Sequence, residues 1–208
     1  MAGAAQADDA RRAIVMACSR MLSYPGRPEF AAELAEAREA LGELGAGPGS
    51  PAAAAVDALL GRAPLELAEE YVARFDLAQE TTLHLTAHEH GDGRGRGPAL
   101  LALARLYRAA GWLPDDRQLP DFLPQLLEFL AVEDDGERAE LRALEARVAA
   151  VCGRIGERLP DGSAYRLVFA ALDAACRETF RTPVPPVPAQ APLPEDDPED
   201  MPYPLHYE

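Results

Sequence analysis

The chain has 208 residues, with 35 acidic side chains against 20 basic ones and a formal net charge of -15. It contains no lysine, which excludes a P-loop nucleotide site and any Schiff-base mechanism, because both chemistries need a lysine amine. The acid surplus argues against nucleic acid or an anionic membrane as a partner and favours a partner that carries arginine or lysine.

Helical periodicity extends from the first residues to about residue 180, and no β alternation of useful length interrupts it. Asp8 or Asp9 is predicted to cap a first helix that Tyr24-Pro25-Gly26 ends. Further helices are predicted over 29–44, 52–60, 64–75, 98–111, 120–132 and 137–159, and from a cap at Asp161 or Ser163 to Phe180. The glycine-rich stretch 81–97 is predicted to be a loop. The sequence therefore predicts an all-α, single-domain bundle of about seven helices over residues 1–181.

The composition changes beyond Arg181. Residues 182–208 contain nine of the 19 prolines and six acids, but no arginine or lysine. Such a segment buries little apolar surface, so we predict a disordered, acidic, proline-rich tail. Tyr203, Leu205 and Tyr207 alternate near its end, and the alternative is that these side chains dock on the folded part.

The cellular setting is predicted from what the sequence lacks. Cys18, Cys152 and Cys176 are odd in number, lie far apart and sit in apolar helical patterns, which is typical of buried, reduced thiols. The first residues lack a signal-peptide pattern, and no apolar run approaches the roughly 18 residues of a membrane span. We therefore expect a cytoplasmic protein without membrane insertion.

Charge is arranged in blocks along the chain. Net charge is -6 over residues 64–92, +4 over 93–112 and -7 over 113–140. In the predicted helix 120–132, Asp121, Gln125 and Glu128 are spaced to share one face beside apolar residues. An acidic rim beside an apolar floor suits an amphipathic peptide with a basic end. The alternative is an ordinary solvated, charged surface.

Sequence patterns for catalysis are weak. His84, His88 and His90 suggest a metal site, but HExxH and a nearby cysteine are missing, so a hydrogen-bonding or loop role is favoured. No serine lies in a GxSxG elbow, and the GxGxGxG run from Gly91 follows no strand. We predict no enzyme activity, no cofactor and no metal.

Five ordered motifs lie within about sixty residues. They are Tyr71-Val72 with Phe75-Asp76; Thr82-Leu83-His84-Leu85-Thr86; Gly91-Asp92 with Arg94, Arg96 and Gly97; Tyr107 with Ala110-Gly111-Trp112; and Leu119-Pro120-Asp121 with Leu127-Glu128-Phe129. In this order they resemble the NarJ family, the dedicated chaperones of respiratory nitrate reductase, also described as its delta subunit. Gly93 departs from the family pattern, where threonine is common.

The resemblance implies an all-helical assembly chaperone of the wider TorD and DmsD class. It implies binding to the apo catalytic (alpha) subunit, at a basic, helical, leader-like N-terminal segment, before molybdenum cofactor insertion. We expect the peptide-binding residues to be Asp76, His84, Asp92, Arg94, Arg96, Trp112, Asp121, Phe122, Gln125, Leu126 and Glu128. Here His84 would orient Asp92 or Asp121. The alternatives are a chaperone for a sulfoxide or amine-oxide reductase, or a metalloprotein using His84, His88 and His90.

Overall fold

A computed structural model describes residues 2–47, 49–91, 93–133 and 139–179. This part of the chain is built from α-helices: α1 (Ala2–Met21), α2 (Phe30–Glu43), α3 (Pro51–Leu60), α4 (Pro64–Tyr71), α5 (Leu85–His90), α6 (Arg96–Ala109), α7 (Leu123–Val132), α8 (Ala139–Arg158) and α9 (Ala164–Thr179). A π-helical turn over Val72–Asp76 follows α4, and a 3-10 turn covers Gln79–Thr81. The predicted all-α class is confirmed, with nine α-helices in the described residues rather than about seven.

Two predicted boundaries at the N-terminal half are wrong. Helix α1 begins at Ala2, so Asp8 lies inside the helix and does not cap it. The Asp8 carboxylate instead accepts hydrogen bonds from Arg11 and Arg12. The predicted loop 81–97 contains α5, which ends where Gly91 adopts a φ of 56°. This left-handed conformation favours glycine, which explains why α5 ends at this position.

Helix α1 is at the centre of the packing. It contacts α2, α7 and α9, while α3 and α8 pack against α9. The core between these helices is mostly leucine and alanine, with Cys18 and Cys152 buried in it and Cys176 partly buried. All three thiols are free, and burial raises the pKa of Cys176 to about 11. The predicted burial is confirmed for Cys18 and Cys152.

The chain reverses sharply after α6. Gly111 has a φ of 71°, and the amide of Trp112 donates to the carbonyl of Tyr107 at 2.9 Å. This is the hydrogen bond of a Schellman motif, in which glycine ends a helix at low steric cost. The indole of Trp112 therefore folds back against Tyr107 and Phe129, at centroid distances of 4.8 and 5.4 Å.

Two sequence predictions lie outside the described residues. They concern Asp92 and the proposed tail, residues 182–208. Within the described part, none of the helices has the length and apolar character that a membrane crossing requires.

Candidate functional site

Asp121 lies before a helix rather than on the face of one. The predicted helix 120–132 begins at Leu123, because Phe122 has an extended backbone with a ψ of 120°. Asp121 is fully buried, whereas Glu128 in α7 is about one-third exposed. The predicted acidic rim of Asp121, Gln125 and Glu128 on one helix face is therefore wrong.

The buried Asp121 carboxylate is the centre of a polar cluster with His84, Thr86 and Arg96, here named the Asp121 cluster. His84 Nδ1 donates to Asp121 Oδ1 at 3.0 Å, and the Thr86 amide donates to Oδ2 at 3.2 Å. The Thr86 hydroxyl also donates to Oδ2. Arg96 Nη2 lies 3.8 Å from Oδ2, and its Nε donates to Thr86 Oγ1 at 3.3 Å. The predicted hydrogen bond between His84 and Asp121 is thus present.

These hydrogen bonds keep the Asp121 carboxyl ionised. Burial by itself raises its pKa, but the hydrogen bonds from His84 and Thr86 and the nearby His84 charge outweigh burial, so the pKa lies below its ordinary value. Asp76 lies close enough to His84 for the His84 charge to lower the pKa of Asp76. Desolvation of the Asp76 carboxyl has the larger, opposite effect, so the pKa of Asp76 is raised. The cluster therefore stabilises one carboxylate, Asp121, in its charged form.

The Asp121 cluster also fixes the start of α7. The Leu85 amide donates to the Asp121 carbonyl at 2.9 Å, and the Leu123 amide donates to the Leu83 carbonyl at 2.8 Å. An isolated antiparallel bridge pairs His84 with Phe122, whose rings lie 5.5 Å apart. Residues from three sequence motifs therefore hold the backbone from which Phe122, and then α7, project.

An open cleft of about 530 Å³ lies next to this segment. Its walls are the end of α1 with the following turn, the connection between α6 and α7, and the first half of α7. The residues that line it are Ser19, Arg20, Ser23, Tyr24, Arg27, Trp112, Leu113, Asp115, Arg117, Gln118, Phe122, Pro124, Gln125 and Glu128. We call this surface the α1/α7 cleft.

Hydrogen bonds tie the walls of the α1/α7 cleft together. The Ser19 hydroxyl donates to the Pro124 carbonyl at 2.7 Å, which joins α1 to α7. The Asp115 amide donates to Gln125 Oε1 at 3.1 Å, which joins the 112–118 connection to α7. A cleft with tied walls presents a preformed surface, so the protein loses less conformational freedom when a ligand binds.

The cleft exposes both polar and apolar side chains and carries charges of both signs. The Leu113 side chain is 91% exposed and Tyr24 is 44% exposed, although both are apolar or aromatic. Glu128 pairs with Arg20 at 3.4 Å, and Asp115 pairs with Arg117 at 2.8 Å. The surplus of carboxylates that the sequence predicts is therefore absent from the described lining of this cleft.

The predicted peptide-binding residues that the structure describes fall into four groups. Trp112, Phe122, Gln125 and Glu128 line the α1/α7 cleft, whereas His84, Arg96 and Asp121 belong to the Asp121 cluster behind it. Leu126 is fully buried and belongs to the core, so its place on a peptide-binding floor is wrong. Asp76 and Arg94 are exposed outside the cleft lining.

The three histidines have separate surroundings. His88 Nε2 lies 2.8 Å from the Thr82 carbonyl oxygen, and His84 is bonded to Asp121. Burial is the main cause of a lowered pKa for His88. Across the described ranges, no three or more histidine, cysteine or acidic side chains are grouped so that they hold a metal ion. The geometry gives the alternative of a histidine-ligated metalloprotein no support.

Sequence reasoning missed the α1 side of the cleft. Arg20, Tyr24 and Arg27 are about ninety residues away in sequence from Trp112 and Phe122, so no local spacing relates them. The available signal is the Leu22-Ser23-Tyr24-Pro25 segment that closes the first helix, where an aromatic residue in a turn remains exposed.

The chain is similar to proteins of one known family. A family model described as nitrate reductase delta subunit matches residues 28–157. The nitrate reductase molybdenum cofactor assembly chaperone NarJ of Escherichia coli K12 is 34% identical over 110 residues, which are 52% of this chain and 45% of NarJ. The nitrate reductase-like protein NarX of Mycobacterium tuberculosis H37Rv is 37% identical over 147 residues, which are 69% of this chain and 22% of NarX.

A solved structure has a similar fold. It is a redox enzyme maturation protein from Archaeoglobus fulgidus, with a TM-score of 0.54 and 20% sequence identity, and the match covers 82% of this chain and 94% of that one. At this identity the likeness supports the helical fold alone. The chain spans only 22% of the length of NarX and under half of the E. coli relative. Because the family model covers well over half of the 208 residues, the chain belongs to the nitrate reductase delta subunit family.

Proposed function

We propose that this protein is an assembly chaperone rather than an enzyme. In this proposal it binds the apo catalytic subunit of a respiratory nitrate reductase in the cytoplasm and keeps it competent for molybdenum cofactor insertion. The family match and the names of the E. coli and Bacillus subtilis relatives, both molybdenum cofactor assembly chaperones, support this role.

The observation that carries the binding part of the proposal is the α1/α7 cleft. Exposed apolar side chains beside ion-paired residues are typical of a surface that receives an amphipathic helix. A leader-like N-terminal segment of the client would place its apolar face on Trp112, Leu113 and Phe122. One of its basic residues would compete with Arg20 for Glu128, the one predicted carboxylate that lines the cleft.

The Asp121 cluster has a positioning role in this proposal. It is buried behind Phe122 and holds the segment from which the cleft side chains project. It would therefore act on client binding through the shape of the cleft, not by touching the client.

The experiment uses the intrinsic fluorescence of Trp112, which is the single tryptophan of the chain. The chain is titrated with a tryptophan-free peptide from the N-terminus of the nitrate reductase catalytic subunit. We expect saturable binding that shifts the Trp112 emission and weakens as salt increases, because charged pairs contribute. Leader peptides of a sulfoxide reductase and an amine-oxide reductase serve as competitors and should bind at least tenfold more weakly.

Leu113→Asp tests the location of the site. Leu113 is so exposed that this change should leave the fold intact while lowering peptide affinity about tenfold, through the loss of about 1.4 kcal/mol of apolar contact. Leu77→Asp is the matched control, because Leu77 is 78% exposed and lies outside the cleft. Equal affinity of the parent and Leu113→Asp would show that the client binds elsewhere. No binding of the nitrate reductase peptide would contradict the chaperone proposal itself.

A further inference from the structure

A second surface of the molecule, distinct from the α1/α7 cleft, lies between α6 and α8. It is a groove of about 640 Å³ lined by Ala102, Leu103, Arg105, Leu106, Ala109, Glu140, Ala143, Leu144 and Arg147. Its alanines are exposed, and neighbouring Leu101 is 61% exposed. Small side chains leave room for another chain to approach the floor formed by Leu103, Leu106 and Leu144. We call this surface the α6/α8 groove.

The α6 side of the groove is basic. Arg105 lines it, and Arg108 lies three residues further along the same helix. Within the described residues, neither guanidinium makes a hydrogen bond or an ion pair. Arg147 on the α8 side is different, because it forms two 2.7 Å hydrogen bonds with Glu89. Residues 93–112 contain four arginines and no acid, so the α6 side suits an occupant rich in carboxylates.

The last described helix ends beside α8. Cys176, in the final part of α9, shares a small cavity with Glu145 and Val148 of α8, and the Glu145 charge contributes to its raised pKa, after burial. Leu144 and Arg147, which line the α6/α8 groove, lie within the same turn of α8. The chain beyond Thr179 therefore starts about one helix width, roughly 10–12 Å, from the groove.

The segment that begins there has the complementary chemistry. Residues 182–208 contain six acids and no arginine or lysine, and Tyr203, Leu205 and Tyr207 alternate near the end. The 23 residues between Thr179 and Tyr203 are rich in proline, and at about 3.1 Å per residue such a segment has a maximal reach of about 70 Å, which exceeds the distance to the groove. A tethered segment also needs less intrinsic affinity than a free peptide, because its binding is intramolecular.

We propose that the α6/α8 groove is the docking surface of the chain's own C-terminal tail. Tyr203, Leu205 and Tyr207 cover the apolar floor, and the tail acids Glu195, Asp196 and Asp197 face Arg105 and Arg108. The tail keeps this groove away from water and from other apolar partners. The inference is independent of the proposed function, since it does not involve the α1/α7 cleft.

The test measures access to the groove in the full-length chain. Ala102→Cys places a thiol on the groove wall, and its alkylation by a maleimide at neutral pH is followed by intact mass. The native thiols give a low background, because burial raises the pKa of Cys18, Cys152 and Cys176. We expect the added substitutions Tyr203→Ser, Leu205→Ser and Tyr207→Ser to speed alkylation of the new thiol at least threefold.

Matched controls separate docking from general effects of the tail. Val184→Ser with Val187→Ser makes the same kind of change near the start of the tail and should leave the rate unaltered. Ala35→Cys, on the exposed face of α2, should react equally fast with either tail. Arg105→Glu with Arg108→Glu should speed alkylation at residue 102 as the triple serine variant does, whereas Leu113→Asp should not.

Two outcomes overturn the proposal. One is an equal alkylation rate with the parent tail and with the tail that carries Tyr203→Ser, Leu205→Ser and Tyr207→Ser. The other is an alkylation rate that falls as the protein concentration rises but does not change with the tail substitutions. That result would assign the groove to a second copy of the chain. If the helical circular dichroism signal of Ala102→Cys is lower than that of the parent, the measurement is repeated with Ala143→Cys, on the α8 wall of the groove.

Discussion

The Asp121 cluster and the α1/α7 cleft meet at Phe122, yet they use carboxylates in different ways. Asp121 is fully buried and is bonded by His84 and Thr86, so its charge holds two distant chain segments together. Glu128 is about one-third exposed and has one arginine partner at 3.4 Å. A buried charge that loses its partners is costly, whereas an exposed pair contributes little. The same residue type thus supports the fold in one region and offers an exchangeable contact in the other.

The largest effect that tests this comparison is expected from Asp121→Asn. The substitution keeps the shape but removes the buried charge that His84, Thr86 and Arg96 surround, so we expect a loss of about 3 kcal/mol in the free energy of unfolding. Urea denaturation followed by circular dichroism measures it. Asp115→Asn, an exposed carboxylate in the cleft, is the control and should leave the midpoint unchanged. Equal midpoints for both variants would show that the Asp121 cluster does not stabilise the fold.

The pH dependence of this effect has a definite sign. The pKa of Asp121 is lower in the folded protein than its ordinary value, which is about 3.9 in an unfolded chain. Its contribution to stability is therefore fully present above that pH and is lost as the pH falls through the folded value. The stability difference between parent and Asp121→Asn should shrink as the pH falls below about 4. A difference that does not shrink below this pH would mean that the carboxyl is not held in its charged form.

Thr86→Val should have a smaller effect on the same cluster. It removes the hydroxyl that donates to Asp121 Oδ2 and accepts from Arg96 Nε, while the backbone amide bond to Asp121 remains. We expect a loss of about 1–3 kcal/mol in the free energy of unfolding, as for other buried polar groups deprived of a partner. Thr82→Val, at a threonine whose hydroxyl has no described partner, is the matched control in the same denaturation series. A loss of unfolding free energy no greater than that of Thr82→Val would show that the Thr86 hydroxyl does not stabilise the Asp121 cluster.

The smallest effect is expected in the cleft. Glu128→Gln breaks the ion pair with Arg20, and the loss should stay below about 1 kcal/mol and disappear at high salt. A double-mutant cycle with Arg20→Gln isolates the interaction between the two side chains. A coupling energy as large as the Asp121→Asn effect would contradict the distinction between the two regions.

Much of the fold follows from local patterns in the sequence. The predicted helices 29–44, 52–60 and 98–111 correspond to α2, α3 and α6 within about two residues, because proline and glycine mark their ends. The start of α7 could not be predicted in this way. Leu119-Pro120-Asp121 suits the first turn of a helix, but it forms a separate turn in which the Phe122 amide donates to the Leu119 carbonyl. The bridge between His84 and Phe122 then keeps Phe122 extended, so α7 starts only at Leu123.

The helical class, the charge blocks and the motifs that indicate the family can all be read from the chain alone, since each depends on residues close together in sequence. Which polar residues are buried and which are accessible depends instead on the packed helices. His84 and Asp121 meet across 37 positions, and Arg20 meets Glu128 across 108. Burial depends on how helices pack, so the spacing of Asp121, Gln125 and Glu128 along the chain could not distinguish a buried anchor from the wall of an open cleft.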